Sequence, residues 1–153
     1  MNAFSLRRSQ RGLATVEFAI VGAIVMLTTL AVIEFGRLLH TYSMLSEATR
    51  RVARVAAVCP PNDPAIAAAA NFSDALSVTG FTDANLAITY LDQNGAGTGT
   101  FSAIRYVRVS VTAFDYELFL PLPVRTFTIT GFPVTVPAES LGLVENLSRN
   151  CQG

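Results

Sequence analysis

Arg11-Gly12-Leu13-Ala14-Thr15-Val16-Glu17-Phe18, continued as an apolar run to Ile33, is the stretch that decides the fold. Phe18–Ile33 is 16 residues without a charge, and Leu13–Ile33 is 21 with Glu17 near one edge. A bilayer-spanning helix needs about 20 apolar residues. Leu38 and Leu39 carry the apolar surface past Glu34 and Arg37, so residues 13–39 are read as the membrane segment. Arg7, Arg8 and Arg11 precede it, which places the N-terminus in the cytoplasm and the bulk of the chain outside. The run exceeds the roughly 7–15 residues of a secretory signal, and no small-x-small cleavage site follows closely, so the helix is read as retained. Glu17 is the anomaly: a carboxylate near the bilayer centre costs roughly 2.5–3.5 kcal/mol on insertion scales. Anchoring alone gives no reason to keep it.

Outward from this stretch, nothing stops a helix before about Ala57, since no proline intervenes. From Leu13 that is about 67 Å of rod at 1.5 Å per residue. Its first half is apolar on all sides. From Thr41 it becomes amphipathic, with Met44, Leu45, Ala48, Val52 and Val55 on one stripe. Glu47 stands three and four residues before Arg50 and Arg51, in reach of either. Pro60-Pro61-Asn62-Asp63-Pro64 ends the rod, and a short alanine-rich helix over about Ala65–Ser77 follows, with Asp63 as N-cap and Pro64 at its first position.

Beyond Gly80 the period changes to two. Leu86, Ile88 and Tyr90 alternate with Ala87 and Thr89, and Asp92–Gly99 is a glycine-rich turn. Ile104–Phe114 is the clearest strand, with Val107, Val109 and Val111 on one face and Tyr106, Arg108, Ser110 and Thr112 on the other. Arg125–Thr130 alternates again with Phe127 and Ile129 inward, and Val134–Val136 is a short edge piece. The fold class is α+β: a long N-terminal transmembrane helix packed by its outer half on a small antiparallel sheet of about three strands, with one short extra helix. The chain divides into residues 1–12, the helix 13–58, and an exported domain 59–153.

Composition narrows the function. With 11 basic and 11 acidic residues the formal charge is zero, which argues against nucleic acid as a partner. Cys59 and Cys151 are the only two cysteines, and an even pair in an exported domain reads as a disulfide, two unpaired buried thiols being the alternative. Two cysteines and the single His40 do not complete a tetrahedral zinc site. His40 reads as a surface or interface residue, and no serine or cysteine has a base partner in the pattern, so no catalytic residues, metal or cofactor are assigned. Asp92, Asp115 and Glu117 lack the ligand density of a calcium loop. Asn146-Leu147-Ser148 matches a glycosylation acceptor by pattern only.

The N-terminal pattern resembles a type IV prepilin leader: basic residues, Gly12 before the cut, an acidic residue at mature position five, then a long apolar helix. Together with Ile33-Glu34-Phe35-Gly36-Arg37-Leu38-Leu39 and Ala48-Thr49-Arg50-Arg51-Val52-Ala53-Arg54, it resembles the TadE-like family of the tight-adherence (Tad, Flp) pilus system. The motif residues are Phe18, Glu34, Phe35, Gly36 and Arg37. The resemblance implies cutting between Gly12 and Leu13 by a prepilin peptidase and a role for Glu17 in assembly. It implies a minor pilin or pseudopilin acting in pilus biogenesis and adherence, held in the bacterial inner membrane and possessing no enzymatic activity. The partners it implies are other pilin or pseudopilin subunits, the peptidase, the assembly platform and the membrane itself. A type II secretion pseudopilin, or an unprocessed single-pass adhesin or sensor, are the alternatives.

Overall fold

A computed structural model describes residues 7–70, 78–119, 125–139, 143–144, 147–148 and 151. Residues 1–6 of the expected leader, the expected reach of the short helix to Ser77, and Asn146 lie outside the described residues. Helix α1 runs Arg7–Val58 over 52 residues. It begins before Leu13 and passes through Gly12, because no residue between Arg7 and Leu13 breaks a helix beyond the roughly 1 kcal/mol cost of one glycine. Helix α2 is Pro64–Ala70. The strands are β1 (Leu86–Leu91), β2 (Tyr106–Glu117) and β3 (Thr126–Pro137), followed by the two-residue β4 (Leu143–Val144) and β5 (Leu147–Ser148). The first three form an antiparallel sheet in the order β1-β2-β3, and β4 pairs with β5 separately.

The valine face of β2 meets the outer half of α1, as the period-two pattern requires. Val107 and Val109 pack with Val52, Ala53 and Ala56, while Val111, Phe114 and Tyr116 pack with Leu45 and Leu38. The buried stripe of the helix is Leu45, Ala48, Thr49, Val52, Ala53, Ala56 and Ala57. Small residues dominate it, so the helix approaches the sheet closely. Met44 and Val55, expected on the stripe, are half-buried at its margins. Glu47 pairs with Arg51 at 3.1 Å, an exposed contact worth well under about 1 kcal/mol. The contacts also fix a direction: β2 runs opposite to α1, so its C-terminal end lies beside the middle of the long helix.

β3 corrects the sequence reading. The segments 125–130 and 134–136 are one strand, carried through Gly131-Phe132-Pro133 by irregular register. Val109 faces Val134, Val111 faces Gly131 and Phe114 faces Ile129, so an extra residue on β3 is followed by one on β2. Gly131 (φ 117°) and Phe132 (φ 53°) make the turn in the left-handed half of backbone space. Glycine adopts this freely; for Phe132 it is unusual. The Phe132 ring stands edge-on to Tyr42 of the helix, centroids 5.3 Å apart, which offsets that cost.

Asp63 is the hinge of the far end. One carboxylate oxygen accepts the Ala65 N–H at 2.9 Å, capping α2 ahead of Pro64, and the other accepts the Cys151 N–H at 3.2 Å. Cys59 and Cys151 are joined at an S–S distance of 2.05 Å across a separation of 92 residues. Glu139 N–H donates to the Ala57 carbonyl at 2.9 Å, satisfying one of the orphan acceptors at the helix end. Replacing both cysteines with serine is expected to cost about 4–5 kcal/mol, the chain-entropy value for a loop this long. The check is the denaturation midpoint of the full chain against the oxidised parent. An unchanged midpoint would show that the Asp63 contact already holds the tail.

Candidate functional site

Two regions of α1 carry the residues singled out by the sequence. Along residues 12–29 every side chain is exposed. Phe18 is 79% and Val32 72% exposed, and an apolar surface of this length is of the kind that a membrane or a partner covers. Helix Gly12–Val58 is long and apolar enough to cross a membrane. The hydroxyls in this segment are satisfied internally: Thr28 donates to the Ile24 and Val25 carbonyls at 3.0 and 2.9 Å, and Thr29 to Val25 at 2.8 Å. That is how polar side chains are tolerated in a lipid-facing helix. Glu17 is exposed on this segment beside Val16, Phe18 and Val21. Gly12 is open as well, with nothing within 4 Å of where a Cβ would stand.

The second region begins at Glu34, where the helix meets the domain. Glu34 is only 6% exposed. Its carboxylate accepts three hydrogen bonds: from the Tyr116 hydroxyl at 2.8 Å, from Arg37 Nη1 at 2.9 Å, and from the Phe119 N–H at 3.3 Å. The Arg37 guanidinium lies 5.8 Å from the centre of the Tyr116 ring, inside cation–π range. Tyr116 also packs on Phe127, centroids 5.1 Å apart. Burial and, next, donation to Glu34 push the Tyr116 phenol above its ordinary value of 10.0, with Arg37 acting the other way. The motif residues Glu34 and Arg37 thus form a clasp between the helix and the end of β2. Phe35 and Gly36, between them, are exposed, and Gly36 lines an open groove with Arg37 and Tyr116.

The other candidates are scattered. His40 is exposed and lines an open groove of about 800 Å³ with Arg37, Thr41, Val78, Asp115, Glu117 and Thr126. Asp115 is engaged by the Thr128 hydroxyl at 2.6 Å. Asp92 instead organises the turn after β1, accepting from the Asn94 and Ala96 N–H groups at 2.8 and 3.0 Å. Among the described residues no three His, Cys, Asp or Glu gather as metal ligands.

Tyr116 and the Phe119 N–H are the functional groups the sequence reading missed. Strict alternation from Val107, Val109 and Val111 turns Tyr116 outward with the even positions. The extra residue on β2 between Val111 and Phe114 reverses that parity and turns Phe114 and Tyr116 inward. The available signal was Glu34 itself, a carboxylate at the end of an apolar run that needs donors from somewhere.

Residues 12–54 match the family model described as TadE-like protein. No curated protein and no solved structure matches the chain. The matched segment contains Gly12, Glu17 and the Glu34–Arg37 motif, and it ends inside the stripe that packs on β2. Over those residues the chain is similar to the TadE-like family, which is associated with the Tad pilus.

Proposed function

We propose that the chain is a minor pilin or pseudopilin of a Tad/Flp pilus or secretion apparatus, acting in pilus biogenesis and adherence. Its N-terminus faces the cytoplasm, and its sheet domain lies beyond the outer face of the inner membrane. A prepilin peptidase hydrolyses the Gly12–Leu13 bond, freeing an ammonium at Leu13. In the assembled bundle that ammonium meets Glu17 of a neighbouring subunit, and the paired charges cost far less in a low-dielectric interior than two isolated ones. Other pilins, the peptidase and the assembly platform are its partners.

The observation that carries this reading is the exposure of Glu17 and all of residues 12–29 within a segment that matches the TadE-like family. The chain's own domain leaves that face free for neighbouring helices. The test exploits the open space at Gly12. A Cβ added at Gly12 has nothing from outside its own helical turn within 4 Å, and the position is exposed, so Gly12→Leu is expected to leave the fold intact and to read the peptidase. Intact mass of the variant from its native host is expected to show the leader retained. Normal trimming would contradict the reading.

A further inference from the structure

The end of β2 points toward the exposed apolar segment of α1. Along the strand, Val107 and Val109 pack near Val52 and Ala56, Val111 and Phe114 pack near Leu45, and the Phe119 N–H reaches Glu34. Each step toward the C-terminus of β2 is a step down the helix toward the exposed apolar segment that ends at Ile33. The Leu118 N–H donates to the Arg125 carbonyl at 2.7 Å, which closes the β2–β3 hairpin at this level. Phe119, two residues past the end of β2, is 78% exposed. Outside α1, the next most exposed large apolar residue among the described ones is Tyr106, at 41%. The sequence from Leu118 to Val124 is Leu-Phe-Leu-Pro-Leu-Pro-Val, with no polar side chain between Glu117 and Arg125.

We propose that Phe119, just past the end of β2, sits in the lipid interface beside α1 as a second membrane contact. The occupant of this apolar surface is lipid because the surface is continuous with the membrane segment. The Glu34 clasp holds Phe119 one residue from the end of the apolar run, and an exposed aromatic at that depth is buried by acyl chains and headgroups rather than by water. The clasp then has a purpose beyond stability. It sets Phe119 at the membrane surface and so fixes how the sheet stands on its helix. The proposal rests on α1 spanning the bilayer and is independent of peptidase cleavage.

The chain contains no tryptophan, so a single one is a reporter without background. Phe119→Trp, Val25→Trp and Phe101→Trp are made one at a time in the full chain and reconstituted in phosphatidylcholine vesicles with or without brominated acyl chains. Phe101 lies in the turn before β2, at the end of the sheet away from Glu34, and serves as the aqueous reference. Tryptophan at 119 is expected to emit blue-shifted relative to 101 and to be quenched by brominated lipid severalfold more strongly, toward the value at 25. Emission and quenching equal to those at 101 would overturn the proposal. So would a blue shift without lipid quenching, which would place residue 119 against another protein subunit. Absence of quenching at 25 would remove the spanning helix, and with it the premise.

Discussion

A Glu17→Val variant is expected to reach the membrane at the parental level, to be trimmed normally, and to leave its host without pili. The first two outcomes follow from the bilayer. Removing a carboxylate from an apolar segment makes insertion easier, by up to roughly 2.5–3.5 kcal/mol at full depth. The side chain is exposed on the described helix, so the domain does not depend on it. The third outcome follows from the proposed neighbour contact, since the ammonium freed at Leu13 would enter the helix bundle without a counter-ion. Truncating one partner of a buried pair costs about 3–5 kcal/mol, repeated at each such subunit contact. Membrane fractionation beside counts of surface pili in a strain lacking the native copy separates the cases. Full piliation would show that Glu17 makes no assembly contact, and loss from the membrane would assign it to targeting.

The second large effect belongs to the clasp. Glu34→Ala leaves the buried Tyr116 hydroxyl without its acceptor, at about 1–3 kcal/mol, and the part-buried Phe119 N–H without its own at a smaller cost. Arg37 adds little, because its side chain is 49% exposed and regains water. Tyr116→Phe removes one donor of three and is expected to cost less, and the double variant is expected to cost less than the sum, because both changes break one network. The pH dependence has a definite sign. A phenol raised in the folded state stabilises it fully below the ordinary value of 10.0, and that contribution is lost as pH rises through the folded value. Tyr116→Phe should therefore flatten part of the alkaline loss of stability. Tyr90, raised by burial alone, keeps its own share. Chemical denaturation in detergent at neutral and alkaline pH is the check. An additive double variant would mean that Glu34 and Tyr116 are not coupled.

What was legible in the sequence was what periodicity encodes. The apolar run from Leu13 reports a helix apolar on all sides, while the stripe through Leu45, Ala48 and Val52 and the alternating valines of β2 each report one face of one element, and the structure joins those two faces as the pattern requires. Asp63-Pro64 was equally plain, because an acceptor followed by proline is a local signal that needs no tertiary contact. The join across Gly131-Phe132-Pro133 was not, since glycine and proline normally end a strand, and here the Phe132 ring on Tyr42 holds the left-handed turn inside one. The clasp was hidden by the same irregularity. A single extra residue on β2 changes which side Tyr116 faces, and register of that kind depends on the partner strand rather than on local sequence. Glu34 and Arg37 were therefore visible as a motif without a visible mechanism. The structure supplies the contacts that join them to the sheet, while Glu17 stands exposed and the role proposed for it depends on a partner on another subunit.

The central claim is that this chain enters the membrane as a precursor and acts as an assembly subunit after losing its first residues. The most direct measurement is the N-terminus of the protein purified from its native host, by intact mass and terminal sequencing under conditions that preserve the disulfide. The account predicts a chain beginning at Leu13. A chain still beginning at Met1, or cut anywhere other than after Gly12, would contradict it.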